Sequence, residues 1–110
     1  MILAFANTVK NGSIIVDTAN YPAALVSKWK SSGKKVLLSV GGQNGHWEVV
    51  FESLANTNNF VNSINSYLIQ YNLDGIDLDI EGYHMPPRKV AEMIIALKKK
   101  IGTRLLVVSP

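Results

Sequence analysis

The chain has 110 residues, 47% hydrophobic and 17% charged, against roughly 25% charged residues in an ordinary soluble domain, which describes one globular unit large enough for a real core. Eleven Lys/Arg against eight Asp/Glu leave a formal charge of +3, but Lys98, Lys99 and Lys100 stand together at the polar end of a predicted helix, so neither a nucleic-acid nor a membrane partner is expected. With no cysteine, a disulfide framework and a thiolate metal site are excluded.

No apolar run approaches the 18 or so residues needed to span a bilayer. Met1 to Ala6 are apolar at once, without the basic stretch and cleavage site of a signal peptide, and the compartment stays unknown. Met1 opens directly onto a strand-like run and Pro110 closes directly after another. The chain is therefore expected to be part of a longer polypeptide, secretion of that parent being left open.

Ile2 to Ala6 reads as a short buried strand. Tyr21 to Lys30, with Asn20 as a cap and Pro22 in the first turn, reads as a helix stopped near Gly33. Lys35 to Val40 is a second strand, broken by Gly41-Gly42. A short helical piece follows around Trp47 to Leu54. Thr57 is then the expected N-cap of a helix whose Phe60, Val61, Ile64, Leu68 and Tyr71 share one face. Gly75 to Glu81 is a third strand. Pro86-Pro87 start a helix with Val90, Met93, Ile94, Leu97 and Ile101 on one stripe, Gly102 closes it, and Leu105 to Ser109 is a fourth strand. Strands of near-continuous Val, Ile and Leu between amphipathic helices are the pattern of parallel βαβ units, so the class is α/β.

The informative segment is Asp74-Gly75-Ile76-Asp77-Leu78-Asp79-Ile80-Glu81. Successive side chains of a strand alternate faces, so Asp77, Asp79 and Glu81 point one way and Ile76, Leu78 and Ile80 the other. A solvated edge strand would carry such a file harmlessly, but helices on both sides make this strand central. Carboxylates spaced about 6 to 7 Å apart, from a rise of about 3.3 Å per residue, repel unless some are protonated or bonded. Crowded acids have their pKa values pushed apart, which places a neutral acid beside a charged base. Glu81 ends its strand, and active sites of parallel α/β folds lie at the C-terminal strand ends. Two chemistries fit: an acid/base cluster of the glycosidase kind, or an oxygen-ligand site for a divalent metal. Spacing alone does not choose between them.

Asp74 to Glu81 resembles the DxxDxDxE signature of glycoside hydrolase family 18, the chitinases and related endo-N-acetylglucosaminidases, and Ser39-Val40-Gly41-Gly42 resembles that family's SxGG motif. Ile2 to Ala6 is similar to the family's second barrel strand and Leu105 to Pro110 to its fifth. The resemblance covers the whole chain and implies parallel βα units forming part, about strands 2 to 5, of a (β/α)8 TIM barrel, residues 1–110 being a fragment of the catalytic domain. A complete barrel has about 250 residues.

The resemblance further implies that Glu81 is the general acid, that Asp79 orients the substrate's 2-acetamido group, and that Asp77 is a buried carboxylate sharing a proton with Asp79. The nucleophile in this family is the acetamido oxygen itself, and no cofactor is involved. Asp74, of opposite parity, is expected to be structural. Ser39 is expected to hydrogen-bond Asp77, and Gly41 and Gly42 to let the backbone approach the sugar. Ile80 stands where many members carry an aromatic residue. The family's acetamido-binding tyrosine and tryptophan floor belong to strands that these 110 residues do not include.

Chitin or an N-acetylglucosamine oligosaccharide is the implied partner. A non-catalytic glycan-binding module and an endo-acting enzyme on glycoprotein glycans stay open, as does a metal-dependent hydrolase. Trp47, with His46, follows the Gly-Gly loop and is expected either to stack on a sugar or to pack at the helix start. Tyr83 and His84 lie on the same rim, Tyr83 as a candidate sugar contact. No short ligand spacing joins His46 to His84, and no metal site is expected. Trp29 is assigned to the core. Four parallel strands cannot close a barrel, so the open sheet edges are expected to favour self-association.

Overall fold

The computed structural model describes residues 2–16, 21–41, 47–80 and 87–109, leaving aside the side chains of 2–5 and 109. The described elements run β1 (Ile2–Thr8), β2 (Ile14–Val16), α1 (Ala23–Ser31), β3 (Leu37–Gly41), α2 (Trp47–Val50), α3 (Leu54–Gln70), β4 (Gly75–Asp79), α4 (Pro87–Ile101) and β5 (Leu105–Ser109). They form one sheet in the order β2-β1-β3-β4-β5. The neighbours β1/β3, β3/β4 and β4/β5 are parallel. This is a series of βα units with β4 in the interior of the sheet, as the alternation of the sequence predicts.

β2 is the addition. It pairs antiparallel with the end of β1, from Ala6↔Val16 to Thr8↔Ile14. Three residues are too short to show a period, and long-range contacts hold them. The Ile14 N–H donates to Ser63 Oγ at 2.9 Å, and the Asn59 side-chain amide donates to the Asn11 carbonyl at 2.9 Å. Both partners lie on α3, so a helix that the sequence assigns to the core also clamps a hairpin. Along β1 the register moves from Leu3↔Leu38 to Ala6↔Val40, one extra residue on β1, which is a bulge.

Helix ends follow local chemistry, with one correction. At the end of α1 the Lys34 N–H bonds the Trp29 carbonyl and the Gly33 N–H the Lys30 carbonyl, with Gly33 at φ +84°; this left-handed Schellman stop is the one Gly33 predicts. Pro22 flanks the start of α1 without a side-chain cap, and Asn20 lies outside the described residues. For α3 the cap is Ser53, not Thr57: Ser53 Oγ accepts from the Asn56 N–H at 3.1 Å. Thr57 is one turn inside the helix, where its hydroxyl donates to the Val50 carbonyl at 2.7 Å and ties α3 to α2. Both residues suit a cap by type, and the packing of α2 decides between them.

One face of the sheet carries Leu38, Val40, Ile76 and Leu78, all buried together with Phe60, Ile64 and Leu68 of α3 and Met93, Leu97 and Ile101 of α4. The two helical stripes predicted from spacing are thus the ones that pack, with Trp29 and Tyr71 partly buried against them. The alternate positions, Leu37, Ser39, Asp77, Asp79, Leu105 and Val107, face the other side. There Leu105 is 44% and Val107 40% exposed. No helix long and apolar enough to cross a membrane occurs among the described residues.

Candidate active site

β3 and β4 meet in a register that brings the two motifs side by side. Ser39 is the Cα partner of Asp77, and Gly41 of Asp79. On the other flank Asp77 faces Val107 and Asp79 faces Ser109 of β5. The file of acids therefore runs up a central strand between two neighbours, not along an edge. Asp77 is only 6% exposed, and Ser39 Oγ–H donates to its Oδ2 at 3.2 Å. A buried carboxylate requires such partners, because charge taken out of water without them is costly. Asp79, at the strand terminus, is half-buried.

Asp74 has a different environment, as its parity implies. Its Oδ2 accepts from the Val36 N–H at 2.8 Å, and its Oδ1 lies 3.4 Å from Lys30 Nζ. Lys30 also donates to the Asn72 carbonyl. Burial by itself favours the neutral acid, but the Val36 N–H and the Lys30 ammonium, with Lys35 nearby, outweigh it and hold the Asp74 carboxyl below the usual range. Asp74 is a fastener at the strand entrance, joining α1, β3 and β4.

Trp47 is fully buried. Its ring meets Phe60 edge-on, with centroids 5.6 Å apart at 69°, and its indole N–H donates to the Asp79 carbonyl at 3.2 Å. Of the two expectations for Trp47, packing is the one that holds: an enclosed ring offers no face to a sugar. Gly41 has φ +106°. A Cβ there would lie 2.2 Å from the Asp79 carbonyl oxygen and 2.7 Å from Trp47 Cζ2, so the glycine is needed for a close approach of protein to protein at this point. Gly42, His46, Glu81, Tyr83 and His84 lie outside the described residues. The sequence reading misses the indole-to-carbonyl bond, since nothing local to Trp47 signals a partner on β4.

Parallel βα units whose central strand carries acids toward its C-terminal end match the architecture of a (β/α)8 barrel segment. The profile of the Glycosyl hydrolases family 18 matches residues 1–106, and the chain belongs to that family. Exochitinase 1 of Streptomyces olivaceoviridis is 42% identical over 67 residues, 61% of this chain and 11% of that protein. The structure of a family GH18 chitinase from Chromobacterium violaceum superposes with a TM-score of 0.76 at 35% identity, over 99% of this chain and 33% of that one. A chitinase from Rhizomucor miehei gives 0.85 at 27% identity, over 97% and 39%. The chain thus spans well under half the length of these relatives.

Proposed function

We propose that residues 1–110 form a fragment of the catalytic barrel of a chitinase-like glycosidase, which hydrolyses β-1,4-linked N-acetylglucosamine polymers with retention, using the substrate's own acetamido group. In this reading Glu81 gives its proton to the glycosidic oxygen as the bond from C1 breaks, and the acetamido oxygen closes on C1. Asp79 accepts from the acetamido N–H and favours the charge that develops there, while Asp77, fastened by Ser39, supports Asp79. Water then adds at C1 as the bond from C1 to the acetamido oxygen breaks, and gives a proton to the Glu81 carboxylate, which restores the acid. Gly41 shapes the strand end, and Gly42 and Tyr83 are assigned to contact with the sugar. No metal or cofactor is required by this scheme.

The observation that carries the reading is the pairing of Ser39 with Asp77 across β3 and β4, with Asp79 of the same acidic motif at the C-terminal end of that central strand. The chitinase relatives favour the substrate class. The test is Glu81→Gln in the complete barrel, which removes the proton and keeps the shape. Hydrolysis of a fluorogenic chito-oligosaccharide should fall by at least about 10² to 10⁴-fold, while calorimetric binding of the oligosaccharide persists. A variant keeping a tenth of the activity would refute the role of Glu81. The same enzyme should ignore EDTA and fail to cleave the fully deacetylated polymer; loss on chelation would favour the metal reading instead.

A further inference from the structure

We infer that Trp47 is a positioning residue for the acids at the mouth of β4: its buried indole N–H grips the Asp79 carbonyl and thereby sets the peptide plane from which the chain leaves the strand. The inference rests on the proposed glycosidase reading for its consequence, but not for its geometry.

Pairing between β3 and β4 ends at Gly41↔Asp79, so the Asp79 carbonyl lies at the last rung of the ladder. The ladder with β5 ends at the same residue, at Asp79↔Ser109, so the described strands hold the chain no further than this peptide, and a group from outside the sheet can fix its plane. Here the fixing group comes from a third element, the first residue of α2, through an N–H···O distance of 3.2 Å. The donor itself is held. The indole is enclosed, and Phe60 of α3 supports its ring. Gly41 closes the arrangement from the β3 side, since a single methyl there would strike both the carbonyl oxygen and the indole.

Three elements therefore converge on one peptide group, two residues before Glu81 in the chain and belonging to the residue assigned to the acetamido group. Burial obliges the indole N–H to find an acceptor, and the acceptor that this fold supplies is the strand-end carbonyl of Asp79. An enclosed hydrogen bond is also more directional and better protected than one in water, and it suits a group whose orientation must not drift. Misplacement of reacting groups by about 1 Å can cost about 10²-fold in rate.

The experiment uses the complete catalytic polypeptide containing this segment. Labelling with ¹³C′-aspartate and ¹⁵N-isoleucine marks the Asp79–Ile80 peptide, the one Asp–Ile bond of these 110 residues, and Ile80→Val, which removes its signal, assigns it within the complete polypeptide. Trp47→Phe, which retains a ring but no donor, is expected to move that signal, to lower kcat by about 10²-fold with KM within about twofold, and to shift the acid limb of the pH–rate profile. Phe60→Leu serves as the packing control, loosening the ring without removing the donor, and should move the Asp79–Ile80 signal clearly less than Trp47→Phe does. Equal movement in both variants, or an unmoved signal or kcat in Trp47→Phe, overturns the inference. Should Trp47→Phe not fold, the unmodified enzyme still decides: the Trp47 indole proton must exchange at least about tenfold more slowly than a free indole, and exchange at the free rate refutes the clamp. Failure of the glycosidase reading would register separately, as a wild-type enzyme no more active than Glu81→Gln, with the Asp79–Ile80 signal still reporting on Trp47.

Discussion

Three aspartates within six residues have separate fates, and the strand period separates them. Asp77 and Asp79 share a face and reach the mouth of β4, while Asp74 precedes the strand and is committed to the Val36 N–H and Lys30. Because the folded pKa of Asp74 is lowered, the folded state binds its proton less readily than the unfolded chain does. Its contribution is therefore complete above the unfolded value of about 3.9 and is lost as pH falls through the lower folded value. Asp74→Asn should cost about 1.5 kcal/mol at neutral pH, within the range of hydrogen bonds to charged groups. It should also flatten the fall of stability below about pH 4. Thermal melts of both proteins across that range check the sign.

At the scale of elements, α3 is the organiser. Its apolar stripe packs under the sheet, its Asn56, Asn59 and Ser63 side chains hold the β1–β2 hairpin, and its N-terminus is tied to α2 through Thr57 and capped by Ser53. Ser53→Ala should lower stability by about 1 kcal/mol, the usual cost of a lost N-cap, read from the denaturant midpoint. The sheet register depends on α3 only indirectly. The pairing that sets Ser39 beside Asp77 follows from burying Leu38, Val40, Ile76 and Leu78 on the helical side, since a slip of one residue would turn every one of them outward.

For the whole molecule, the two faces of the sheet are unequal. The helical face is covered over β3 and β4, with Val108 of β5 43% exposed at its margin, whereas on the other side Leu105 and Val107 are substantially exposed and β5 has an unpaired outer edge among the described residues. At about 25 cal/mol per Å² of apolar surface left wet, the 110-residue chain taken alone should be marginal as a monomer. Sedimentation of the purified segment is expected to find association or aggregation, and a chito-oligosaccharide assay little turnover. A stable dilute monomer with ordinary chitinase rates would refute this view of the sheet as one part of a barrel.

The elements and the parity of the acids were legible in the sequence because both depend on local periods: about 3.6 residues for the stripes of α3 and α4, and two for the file Asp77, Asp79. The eight-residue motif and Ser39-Val40-Gly41-Gly42 likewise marked the family before any geometry was known. Tertiary structure alone decided matters resting on partners distant in the chain. Ile14 meets Ser63 across 49 positions, which anchors β2 where it pairs with β1. Trp47 meets Asp79 across 32, which turns an aromatic beside a glycine loop into a buried support instead of a sugar platform. Thr57 and Ser53 are equal candidates for a cap by residue type, and only the carbonyl of Val50, brought close by α2, separates their roles. Local pattern records what a residue can do, and the neighbours supplied by folding select which of those things it does.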